Sequence, residues 1–102
     1  MIHVIATVDV HPGQRDAFLV EFRKVVPLVR AEAGCLAYGA TVDLASGLSA
    51  QAAVRDDTAT IVEAWESLDH LKAHLASQHM KEYKARVADL VIKTTLAVLA
   101  PA

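Results

Sequence analysis

Apolar, β-branched runs stand at both ends of the chain, Ile2 to Val10 and Val91 to Leu99, and each is hydrophobic at most positions with only imperfect alternation. Runs of this kind, rich in β-branched residues, suit pleated strands with one well-buried face. Between them the period changes. His11, Pro12 and Gly13 punctuate the chain, and Pro12 suits the first turn of a helix because its missing N–H has no intrahelical partner there. Phe18, Phe22, Val25, Val26 and Val29 then recur at helical spacing, with Arg15, Asp16, Glu21, Arg23, Lys24 and Arg30 mainly elsewhere. This predicts an amphipathic helix from Pro12 to about Ala33, stopped by Gly34. Pro27 lies inside it and is expected to bend the helix without dividing it.

From Cys35 to Leu44 a strand is expected with Leu36, Tyr38, Ala40 and Val42 on one face, turned by Ala45, Ser46 and Gly47. Leu48 to Val54 reads as a further strand, weakened by its alanines, and Ala59 to Trp65 as a stronger one after the polar break Arg55 to Thr58. Ser67 can cap a short helix carrying Leu68, Leu71 and Leu75 inward, and Ser77 another carrying Met80, Tyr83, Val87 and Leu90. The order strand, helix, strand, strand, helix, strand is the split βαβ arrangement of ferredoxin-like α+β domains with an antiparallel sheet. The 102 residues form a single domain, 1–102. Helices cover only one face of such a sheet. The other face is apolar here, so a homodimer burying sheet against sheet is expected.

Hydrophobic residues make up 54% and charged residues 22%, which excludes disorder over most of the chain, and a net charge of −2 gives no reason to seek nucleic acid. The single Cys35 closes no intrachain disulfide and suits a reducing compartment. Met1 to Val8 is short, lacks a basic leader and ends at Asp9, a poor signal peptide, and no run reaches the roughly 18 apolar residues of a spanning helix. The expectation is a cytoplasmic protein without membrane insertion.

Few residues carry chemistry. Trp65, the only tryptophan, serves either as core filler or as a flat wall for an aromatic ligand. Glu63 shares its strand face, so a carboxyl beside an apolar pocket with a raised pKa is one reading and a solvated Glu the other. His70, His74 and His79 form the densest titratable cluster. His70 and His74 are spaced to share a metal, but the zinc-protease Glu between them is missing and no third ligand is indicated, so no metal is expected. A general base among these histidines competes with plain surface histidines. Tyr38 and Tyr83 can point phenols into a pocket or bury their rings and satisfy the hydroxyls locally. The four widely spaced glycines exclude a dinucleotide fingerprint or a P-loop.

The segments Glu63-Ala-Trp65-Glu66-Ser67, His70-Leu-Lys-Ala-His74-Leu75 and Ser77-Gln-His79-Met80 together resemble the antibiotic biosynthesis monooxygenase family, especially its bacterial quinol monooxygenases. Val4-Ile-Ala6, His11-Pro-Gly-Gln14, Val26-Pro27, Glu32-Ala-Gly-Cys35 and Val42-Asp43 with Gly47 fit the same pattern, so the resemblance spans essentially the whole chain. It implies a dimeric α+β barrel that oxygenates an electron-rich hydroxylated aromatic with O₂ and needs no flavin, haem or metal. On that resemblance Trp65 walls the substrate, His74 or His79 moves the proton, Tyr38 or Tyr83 bonds an oxyanion, and Glu63 and Met80 line the pocket. Haem-degrading relatives use an Asn near the start of the chain, and this sequence contains no Asn. A non-catalytic dimeric ligand-binding module, and less so a haem binder, remain the alternatives.

Overall fold

The structure, a computed structural model, describes residues 1–102. Its elements are β1 (Ile2–Val10), α1 (Arg15–Arg30), β2 (Cys35–Thr41), β3 (Thr58–Trp65), α2 (Leu68–Leu75), α3 (Gln78–Val87) and β4 (Val91–Leu99). The four strands form one antiparallel sheet in the order β2-β3-β1-β4, so the two apolar ends of the chain pair with each other, Val4 opposite Val98 and Ala6 opposite Leu96. This is the ferredoxin-like split βαβ fold. No helix is long and apolar enough to cross a membrane.

Alternation along the strands sorts the core. Val4, Ala6, Val8 and Val10 of β1 and Ala59, Ile61, Glu63 and Trp65 of β3 face the helices. Phe18, Phe22, Val25 and Val29 of α1 lie against them, with Leu71 of α2 and Met80, Tyr83 and Val87 of α3 completing the layer. Each large side chain buried in this way contributes about 2 kcal/mol of hydrophobic stabilisation. On the opposite face Gly39, Val62, Ile5 and Ala97 stand in one row across the four strands, uncovered by any helix. At β4 the helices run out: Leu96 and Val98 turn toward the helical side yet stay about half exposed, at 45% and 49%.

Several expected boundaries move. The helix begins at Arg15 because Gly13, at φ +79°, holds Pro12 and Gly13 in a turn no helix can continue, and it ends at Arg30, three residues before Ala33. It passes Pro27 as one helix, and Ala31 N–H still donates to the Pro27 carbonyl at 3.2 Å. β2 stops at Thr41, and a register shift between Cys35 and Ala37 leaves Leu36 exposed while Tyr38 and Ala40 face inward.

The strand expected over Leu48 to Val54 is absent. Its small, exposed side chains give a strand nothing to bury, and side-chain bonds shape the segment as a loop instead. Gln51 donates to the Leu44 carbonyl and bonds Ser46, and Arg55 grips Asp43 through two guanidinium nitrogens, each at 2.9 Å. Ser67 caps α2 as expected, accepting the His70 N–H. Ser77 makes no cap bond to α3; its hydroxyl donates to the His74 carbonyl at 2.7 Å and ties the two short helices together.

Candidate active site

Tyr38 and Glu63 stand directly opposite each other on β2 and β3, both on the helical face of the sheet. Trp65 follows Glu63 by one alternation, and its indole N–H donates to Glu63 Oε1 at 2.9 Å, so strand periodicity alone places the carboxyl, the phenol and the indole side by side. Above them the last turn of α2 delivers His74, held through its carbonyl by Ser77. Its ring stacks at a tilt on Trp65, centroids 4.7 Å apart, and meets Tyr38 edge-on at 5.4 Å. Phe22 stacks on Tyr38 at 5.3 Å, fixing the phenol from the α1 side.

Phe22, Tyr38, Glu63 and His74 border a cavity of about 450 Å³ between the sheet and α3. That volume lies in the range of roughly 300–1,000 Å³ typical of small-molecule sites. Ala6, Ile61, Met80, Val87 and Leu96 make much of its wall apolar, while Tyr38, Glu63, His74 and Tyr83 supply polar groups, with Lys84 and Thr94 also on its lining. Neither phenol, nor the second Glu63 oxygen, nor His74 Nε2 has a hydrogen-bond partner in the protein, and no buried side-chain nitrogen or oxygen is left unpaired. All four belong to residues of the cavity lining and none is fully enclosed, so they are open to a ligand there.

Burial pushes the Tyr38 and Tyr83 hydroxyls well above the usual phenol range, and the nearby Glu63 carboxylate adds to both shifts. Both stay protonated donors at any physiological pH. Burial likewise raises Glu63 above the ordinary carboxylate value, against the opposing pull of the Trp65 hydrogen bond and of His74.

The sequence-predicted residues thus separate. Tyr38, Glu63, His74, Met80 and Tyr83 converge on the cavity. Trp65 is fully buried behind His74 and Glu63 and is not among the residues that line it. His79 also lies outside the lining, one hydrogen bond beyond His74's partner. That partner is Glu32, which sequence reasoning did not single out: its Oε2 lies 2.8 Å from His74 Nδ1 and 2.9 Å from His79 Nε2. Both contacts to Glu32 have hydrogen-bond length, so one carboxylate oxygen ties the two histidines together. His70 is turned away, its Nδ1 at 2.7 Å from Ser67 Oγ and its ring against Gly34.

Comparison with known proteins relates the chain to a known family. The family model described as antibiotic biosynthesis monooxygenase matches residues 1–86. The probable quinol monooxygenase YgiN of Escherichia coli is 42% identical over 103 aligned residues, covering 99% of this chain and 98% of that protein. Among solved structures, PA3566 from Pseudomonas aeruginosa superposes with TM-score 0.81 at 25% identity, covering 99% of this chain and 93% of that one. Rv0793 from Mycobacterium tuberculosis superposes with TM-score 0.79 at 27% identity, covering 99% and 94%.

Proposed function

The chain belongs to the antibiotic biosynthesis monooxygenase family, and from that premise we propose that it oxygenates a quinol or a related electron-rich hydroxylated aromatic with O₂ in the cavity between the sheet and α3. The observation that carries this reading is the set of polar groups without protein partners, His74 Nε2, the Tyr38 and Tyr83 hydroxyls and one Glu63 oxygen, on an otherwise apolar cavity wall. A flat hydroxylated ring needs that combination: apolar contact for its faces and a few placed polar groups for its oxygens. The naming of the YgiN relative as a quinol monooxygenase supports the same class.

His74 Nε2 takes a proton from a substrate hydroxyl, and the phenols of Tyr38 and Tyr83 donate to the oxyanion left behind. The anion is a stronger electron donor than the neutral quinol, so it reduces O₂ itself and takes the part usually given to a cofactor. One oxygen atom ends on the ring and the other leaves as water. A quinol thereby becomes a hydroxyquinone, supplying all four electrons that O₂ accepts. Met80, Leu75 and Val87 keep water from the ring. The reading includes no flavin, haem or metal. We further propose that the uncovered sheet face, with Val62, Ile5 and Ala97 in one row, closes against a second copy as a dimeric α+β barrel.

The test is O₂ uptake by chelator-treated protein given a reduced naphthoquinol. Uptake well above the spontaneous rate in wild type, lost in His74→Ala, is expected. Uptake at the spontaneous rate overturns the reading and returns a ligand-binding module as the better account.

A further inference from the structure

Glu32 offers one carboxylate oxygen to two histidines, and neither Glu32 nor His79 touches the cavity. We infer that Glu32 is a positioning residue that sets His74 as a base toward the cavity, and that His79, bound to the same oxygen, tunes how strongly His74 takes a proton. The inference rests on the reading of His74 as the base.

An ionised carboxylate only accepts hydrogen bonds, so both ring nitrogens facing Oε2 carry their protons. For His74 that puts the hydrogen on Nδ1 and leaves the lone pair on Nε2, the nitrogen that meets the cavity. A neutral imidazole with the opposite tautomer presents an N–H there and cannot accept a substrate proton. Once Nε2 is protonated, the carboxylate at 2.8 Å stabilises the imidazolium, and with His74 only 1% exposed little water competes for that task.

The geometry also separates the two histidines. His79 is 23% exposed, against 1% for His74. While neutral, it lends Glu32 a second N–H; once protonated, its cation at 2.9 Å offsets the carboxylate charge that His74 depends on. The other titratable or charged groups around His74 and Glu32 are Cys35 and Tyr38 on β2, Glu63 on β3 and Tyr83 and Lys84 on α3. They stay the same in the variants that follow, so the changes read only the Glu32 link. Three elements hold the arrangement. Glu32 N–H donates to the Val29 carbonyl beyond α1, Ser67 caps α2, and Ser77 fixes the start of α3 to His74.

The experiment combines a histidine ¹⁵N tautomer spectrum of the ligand-free protein with the pH profile of kcat/KM for a reduced naphthoquinol. It uses wild type, Glu32→Gln, His79→Ala and His79→Gln, each checked for unchanged melting behaviour. Wild-type His74 should carry its proton on Nδ1. Glu32→Gln should mix or reverse the tautomer, lower kcat by about tenfold or more with KM little changed, and move the acid limb of the profile to lower pH. His79→Ala should move that limb the other way, because the whole carboxylate charge then faces His74. His79→Gln retains a neutral N–H donor but carries no cation, so its limb should move in the same direction as in His79→Ala and by less. A His74 tautomer unaltered in Glu32→Gln, or limbs that shift together in Glu32→Gln and His79→Ala, overturns the inference. If wild type consumes no O₂ while the tautomer changes as described, the proposed reaction fails and the positioning role stands.

Discussion

The indole N–H of Trp65 donates to Glu63 Oε1 at 2.9 Å, across one alternation of a single strand face, and it is the only hydrogen bond this buried carboxyl makes within the protein. Burial raises Glu63 above its reference value of 4.5, so the folded chain holds the proton more tightly than the unfolded one. The stability from this group is fully present below the unfolded value and is lost as pH rises through the raised folded value. Glu63→Gln keeps an oxygen for the indole and has no proton to lose. Thermal melts from about pH 4 to 8 should therefore show wild type losing ground to the variant as pH rises. A constant difference across that range contradicts the assignment.

Tyr38 and Tyr83 are donors held protonated by burial. Removing either hydroxyl by substitution with Phe should lower kcat on a quinol by about a hundredfold, with a smaller change in KM, because the donated bond strengthens as the oxyanion forms. Steady-state kinetics on the two single variants and the double variant check this, and a change confined to KM argues for ground-state binding alone.

Gly34 and Gly13 share a φ of +79° but not their surroundings. A Cβ on Gly34 would overlap the His70 ring, whereas one on Gly13 meets nothing within 4 Å. Gly13→Ala should cost about 1–2 kcal/mol through backbone strain alone. Gly34→Ala should cost about 2–4 kcal/mol, since His70 and the start of α2 must also move. Denaturant unfolding of the two variants measures the difference, and equal costs would show that the close approach is relieved without strain.

The loop between β2 and β3 hangs on Asp43, whose carboxyl is pulled down to about 2 mainly by its side-chain hydrogen bond to Arg55. What this pair contributes is present above the unfolded value near 3.8 and is lost only as pH falls toward 2. The pair is solvent-exposed, so Asp43→Asn should leave the melting temperature nearly unchanged while residues 42–57 are cut faster by protease. A large drop in melting temperature would show that the loop is part of the cooperative core.

Much of the fold can be read along the chain, because α1 carries a clear helical period, β1 and β3 are apolar and β-branched, and Ser67 stands where a cap is needed. Leu48 to Val54 misleads since small apolar residues fit a strand or a loop, and the bonds from Asp43 and Gln51 that decide between them are not periodic. The site was legible where one strand face supplies it, as with Glu63, and by resemblance for His74. Trp65 carries no local sign that His74 covers its outward face. Glu32 is the clearest omission: 42 residues separate it from His74 and 47 from His79, and an acidic residue at a helix end usually points to solvent. The one available signal was its place two residues before Gly34, inside a segment that matches the family.

The most direct measurement supplies isotopically labelled O₂ with a reduced naphthoquinol to chelator-treated wild type and His74→Ala, and follows the label into product by mass spectrometry. Labelled hydroxyquinone formed at the rate of O₂ uptake in wild type, and strongly reduced in His74→Ala, is the predicted result. Unlabelled quinone with accumulating hydrogen peroxide would show oxidation without oxygen insertion, and would contradict monooxygenation at this cavity.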